Sequence, residues 1–155
     1  MKKLILLFIV ITIVGVAGYF WYQNSVPKSE RLYRGYEKYS DSLDMNRYAT
    51  DLSYRDSFDR ELQDLQDALA VAYLNEKKPD EAVVLIKTLI DSANRPRYEH
   101  GNRLPRNSAQ AGLAADYYKM LSDAYGMKND WKGKGQAMKM SMRYRAEAEQ
   151  LRKRE

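Results

Sequence analysis

Apolar residues in this chain fall into two regimes. From Leu4 to Gly18 they run with no charge among them; from Glu30 onward they recur at steps of three and four. The first regime is closed by Tyr19, Phe20, Trp21 and Tyr22 and, if helical, spans ~28 Å, the thickness of a bilayer's hydrocarbon core. The second predicts helices throughout. Leu32, Tyr36, Tyr39 and Leu43 make one face of a first helix, with a break over Asp44 to Asn46. Tyr48 and Leu52 continue weakly. Leu62, Leu65, Leu69, Ala72 and Tyr73 form a clear stripe, and Asp56 with Ser57 offers its start. Asn75 to Glu81 is a turn in which Pro79 suits a first helical position, with Asp80 and Glu81 at the positive helix end. Ala82, Leu85, Ile86, Leu89, Ile90 and Ala93 give the strongest amphipathic pattern. Ala111, Ala114, Tyr117, Tyr118, Leu121 and Tyr125 mark a further helix. After a turn over Gly126 to Asp130, Trp131 opens the last one, which carries Ala137, Met138, Ser141, Tyr144, Ala148 and Leu151; Gly133 and Gly135 weaken its start. No strand-like alternation and no Asn-Gly or Asp-Gly hairpin signal occurs.

The N-terminal run predicts a signal-anchor over residues 1–22, with Leu4 and Phe8 in the span and Tyr19, Phe20, Trp21 and Tyr22 as an interfacial aromatic belt. A cleaved secretory signal, with Gly15 and Ala17 near its cleavage site, is the competing reading. The absence of cysteine excludes a lipoprotein anchor. Lys2 and Lys3 stand before the run, and Lys28, Arg31, Arg34 and Lys38 follow it, so the basic residues do not by themselves set orientation. The anchor reading predicts a single-pass protein of a bacterial inner membrane with its C-terminal domain outside the cytoplasm. Residues 23–29 read as a polar linker, 30–151 as the helical domain and 152–155 as a charged tail.

Charge changes the picture in one respect. The chain of 155 residues carries +5 overall, but residues 28–67 hold seven basic and ten acidic groups, and residues 68–155 hold seventeen and eleven. The basic loop 94–108, with Arg95, Arg97, His100, Arg103 and Arg106, has no helical period. No compact basic patch with a nucleic-acid reading motif accompanies it, so nucleic acid is not an expected partner.

Leu65 to Asn94 resembles a tetratricopeptide repeat, a pair of antiparallel helices of about 34 residues. Leu69, Ala70 and Tyr73 stand where the first helix packs, and Ala82, Ile86 and Leu89 where the second does. Small residues at Ala70 and Ala82 let the two backbones approach. Gln66 replaces the usual Trp and Asn94 the closing Pro. The match spans residues 63–94; a poorer copy runs from Ala115 to Ala146, with Tyr118, Leu121, Ser122 and Tyr125 in its first helix, and a weak trace lies upstream around Tyr39. Tyr73 and Tyr125 are 52 positions apart. The implied fold is all-α: one N-terminal transmembrane helix, then a small TPR-like bundle of antiparallel helix pairs. An unrelated bundle of αα-hairpins would show the same stripes.

The sequence offers no catalytic constellation. His100 is the single histidine and no cysteine exists, which excludes a Cys/His pair and a zinc site. Asp56, Asp59, Asp64 and Asp67 share a helical face without the spacing of a calcium loop and read as a solvated surface. No phosphate-binding glycine loop or nucleophile elbow is present. The chain therefore reads as a non-enzyme without cofactor, metal or evident small-molecule substrate. The expected role is a membrane-anchored adaptor in the cell envelope, binding another envelope protein or itself. A structural tether or spacer, and a cleaved secreted binding protein, are the alternatives. Of the thirteen tyrosines, most are expected in core packing, and the others offer an aromatic groove as the candidate contact surface. Its candidates are Tyr36, Tyr73, Tyr117, Tyr118 and Tyr125, with Arg97, Arg103 and Arg106 as carboxylate clamps.

Overall fold

The computed structural model describes residues 16, 18, 19, 21, 25–96, 98, 99, 102, 103 and 105–155. Six helices carry the described chain: α1 (Lys28–Asp41), α2 (Met45–Thr50), α3 (Leu52–Asn75), α4 (Pro79–Ala93), α5 (Ser108–Met127) and α6 (Trp131–Arg152). Between α4 and α5 a minimal antiparallel pairing joins β1 (Tyr98–Glu99) to β2 (Asn102–Arg103), with Tyr98 opposite Arg103. The architecture is all-α, as the periodicity predicts.

Local chemistry sets the helix starts. Asp44 caps α2 by accepting from the Asn46 and Arg47 amides, and Asp51 caps α3 by accepting from the Tyr54 amide. Helix α3 thus starts at Leu52, ahead of the Asp56–Ser57 start expected from sequence. Pro79 stands in the first turn of α4, with Asp80 and Glu81 beside it. Asn107 and Gln110 form a reciprocal capping box on α5, and Asp130 caps α6 through the Gly133 amide.

The chain builds two helical hairpins, α3–α4 and α5–α6, and their turns are alike bond for bond. In the first, Lys78 N–H donates to Tyr73 O at 2.8 Å and Lys77 N–H to Leu74 O at 3.1 Å. In the second, Asp130 N–H donates to Tyr125 O at 2.9 Å and Asn129 N–H to Gly126 O at 3.1 Å. Lys77 (φ 56°) and Asn129 (φ 58°) supply the left-handed residue that this Schellman closure requires. The hairpins also reach backwards in the same way. Glu76, the C-cap of α3, accepts from the Ser29 amide near the start of α1, and Lys128, the C-cap of α5, pairs with Asp80 near the start of α4. Helix α1 therefore stands to the first hairpin as α4 stands to the second.

The core lies where α3, α4 and α5 meet. Ala70, Ala82, Ile86, Leu89, Ala114 and Ala124 are almost completely buried there, with α6 contributing Ala137. The alanines let the helix axes approach, and Ile86 and Leu89 fill the space between them. A smaller cluster fixes α1 and α2 to α3. Phe58, buried, stacks on Tyr39 with centroids 4.7 Å apart and meets Tyr48 edge-on at 6.2 Å. Asp59 accepts the Tyr48 hydroxyl at 2.9 Å.

One expectation is corrected. Among the described residues no helix is long and apolar enough to cross a membrane. The two longest carry many ionised side chains, α3 from Arg55 to Asp67 and α6 from Lys132 to Arg152, which a hydrocarbon core excludes. The predicted transmembrane helix is overturned, and with it the single-pass placement in a bacterial inner membrane with an external C-terminal domain. Of the residues assigned to the anchor, Leu4, Phe8, Phe20 and Tyr22 lie outside the described residues, while Tyr19 and Trp21 are exposed.

Candidate functional site: a tyrosine-walled groove

A groove of about 390 Å³ opens between α1, α3 and α4. Tyr33 and Tyr36 form its α1 wall, Gln66, Leu69 and Tyr73 its α3 wall, and Glu81, Val84, Leu85 and Thr88 its α4 wall. Apolar floor, aromatic sides and a few polar groups are the usual make-up of a binding cleft. Val84 is 69% exposed and Tyr33 44% exposed, so the groove is accessible from solvent. Gln66 Nε2 donates to the Tyr36 hydroxyl at 3.3 Å, which fixes the α1 wall against α3. A hydrogen bond to Glu37 holds the Tyr33 hydroxyl above its ordinary pKa. Burial first, then the Glu81 charge, does the same for Tyr73.

The second hairpin carries a smaller equivalent of this groove. Its lining is Tyr118, Leu121, Tyr125, Gly133, Gln136, Ala137 and Met140, around about 210 Å³. Each of these follows by 52 positions a residue lining the first groove on α3 or α4. The larger groove has a third wall, Tyr33 and Tyr36 of α1, that the smaller one lacks, and two replacements change the shared lining. Tyr118 stands where the first groove has Gln66, and its ring stacks on Tyr144 at 5.4 Å. Gly133 replaces Glu81 and removes the carboxylate. A Cβ at Gly133 would fall 2.6 Å from Asp130 Oδ2 and 3.0 Å from Tyr125 Cγ, so glycine is what lets the Tyr125 ring lie against α6.

The candidate residues from sequence therefore separate. Tyr36 and Tyr73 share the larger groove, and Tyr118 and Tyr125 share the smaller one. Tyr117 belongs to neither. It is buried, donates its hydroxyl to Asp67 Oδ1 at 2.7 Å and accepts from Gln63 Nε2 at 3.0 Å, tying α5 to α3. Burial and the Asp67 carboxylate push its pKa well up. Arg106 is committed internally: it donates to Asn94 Oδ1 at 2.7 Å, lies 4.4 Å over the Tyr144 ring and approaches Glu147 at 3.9 Å. Arg97 lies outside the described residues, as does His100, and of Arg103 only the backbone pairing with Tyr98 is described.

Sequence reasoning missed Tyr33, Gln66, Glu81, Val84 and Leu85 as groove residues. The 52-residue offset was the available signal, because it aligns Glu81 with Gly133 and Val84 with Gln136. Val84 also stands off the buried stripe of α4 and is apolar without a packing reason. Among the described residues no group of three His, Cys, Asp or Glu side chains is placed to hold a metal ion. No family model matches the chain, and neither the curated proteins nor the solved structures include a match.

Proposed function

We propose that this chain is a non-enzymatic, TPR-like interaction adaptor that binds an apolar protein segment in the groove between α1, α3 and α4. The observation that carries this reading is the contrast between two equivalent grooves. One encloses about 210 Å³ between two helices; the other encloses about 390 Å³ and has a third wall, so that Tyr33, Tyr36 and Tyr73 face one cleft with exposed Val84 on its rim. An exposed valine among tyrosines gains by being covered, and aromatic residues are favoured contact anchors. The TPR-like relationship is supported by the two equivalent turns and by the backward contacts that stack α1, the first hairpin and the second in order.

The test is co-purification with full-length variants. Val84→Asp places a charge in the larger groove at an exposed site, and Gln136→Asp places one at the equivalent position of the smaller groove. The tagged wild-type chain and Gln136→Asp are expected to recover a partner that Val84→Asp loses. Equal recovery by all three contradicts the reading.

A further inference from the structure

We propose that the larger groove receives the outer face of α6 from a second copy of the chain, joining copies head to tail. This deepens the groove reading and rests on it. Helix α6 presents Trp131 and Met142, 66% and 65% exposed, on one face at helical spacing, with Gly135 between them. Lys132, Lys139 and Arg143 line one edge of that face, Glu149 continues the face toward the C-terminus, and residues 131–155 hold eight basic side chains against three acidic ones. The groove offers the complement: an apolar and aromatic cleft with the Glu81 carboxylate in its lining and Glu37 beside Tyr33. An exposed Trp and Met on a basic helix, and a tyrosine groove edged by carboxylates, are the two halves of a helix-in-groove contact.

The two halves lie on different elements, so the contact is heterologous. A copy that docks its α6 still has an open groove of its own, and the association extends beyond a dimer unless it closes into a ring. Electrostatic steering makes it sensitive to salt.

Sedimentation velocity on the full-length chain over a concentration series tests this. The wild type is expected to grow in mass with concentration, and less so at high salt. Val84→Asp and Met142→Asp, both at exposed positions, are each expected to be monomeric with unchanged helical content. Mixed in equal amounts they are expected to form a one-to-one dimer and nothing larger, because each supplies the half the other lacks. A wild type that stays monomeric, association untouched by either variant, or a mixture that fails to pair overturns the inference. If the chain is monomeric while Val84→Asp still loses a different protein in co-purification, the inference falls and the groove reading stands. If neither effect occurs, both fall.

Discussion

Tyr117 donates its hydroxyl to a carboxylate that burial would otherwise drive toward neutrality. Desolvation raises the Asp67 pKa and the Tyr117 hydrogen bond opposes that rise. Tyr117→Phe should therefore push the Asp67 titration higher still, readable in its carboxyl NMR signal, and cost about 1–2 kcal/mol by removing a part-buried hydrogen bond. Glu76 runs the other way. The Lys78 ammonium first, then the Ser29 hydroxyl and amide, hold its carboxyl down at about 2. Its folded pKa lies below the ordinary value of 4.5, so its stabilisation is complete above that value and is lost as pH falls toward 2. Melting temperatures of wild type and Glu76→Gln should differ at pH 7 and converge near pH 2. Neither role is legible in the sequence: Tyr117 looks like any stripe tyrosine, and nothing in Asn75 to Glu81 announces that its glutamate reaches across 47 positions to Ser29.

At the scale of the element, α4 is the most legible part of the chain. Pro79, the two acids after it and the stripe from Ala82 to Ala93 each state one consistent thing, and Ala82, Ile86, Leu89, Ile90 and Ala93 are buried as the stripe requires. Leu85 is the instructive member, since it lies on that stripe yet lines the groove. The start of α3 is hidden in the sequence because two aspartate caps, Asp44 and Asp51, follow each other closely and a six-residue helix between them shows no period. Phe58 continues the Leu62–Leu65–Leu69 stripe by one step and anchors α2 and α1; Phe58→Ala should cost about 3 kcal/mol in urea unfolding. The glycines opening α6 make a sharper prediction. A methyl group added at Gly135 would have no neighbour within 4 Å, whereas one at Gly133 would meet Asp130 and the Tyr125 ring. Gly135→Ala should stabilise by about 1 kcal/mol on helix propensity alone, and Gly133→Ala should destabilise despite the same propensity gain. Equal shifts in the unfolding midpoint would show that Tyr125 is not packed on α6.

Across the whole molecule, one helical hairpin is laid down twice, and the groove of the second is the smaller, about 210 Å³ against about 390 Å³. The 52-residue spacing of Tyr73 and Tyr125 is visible in the sequence, but its consequence is not. Only the folded chain brings Tyr33 and Tyr36 of α1 to the first groove and sets Tyr118 on Tyr144 in the second. If the larger groove is where the protein meets its partner, that difference between the two hairpins is functional. A photo-crosslinking side chain installed at Val84, and separately at Gln136, in the full-length chain inside its own cells tests this most directly. Discrete protein adducts from Val84 are predicted, and from Gln136, beside the docking face of α6, at most adducts to a second copy of the chain; no adduct from Val84, or the same foreign protein from both positions, would contradict it.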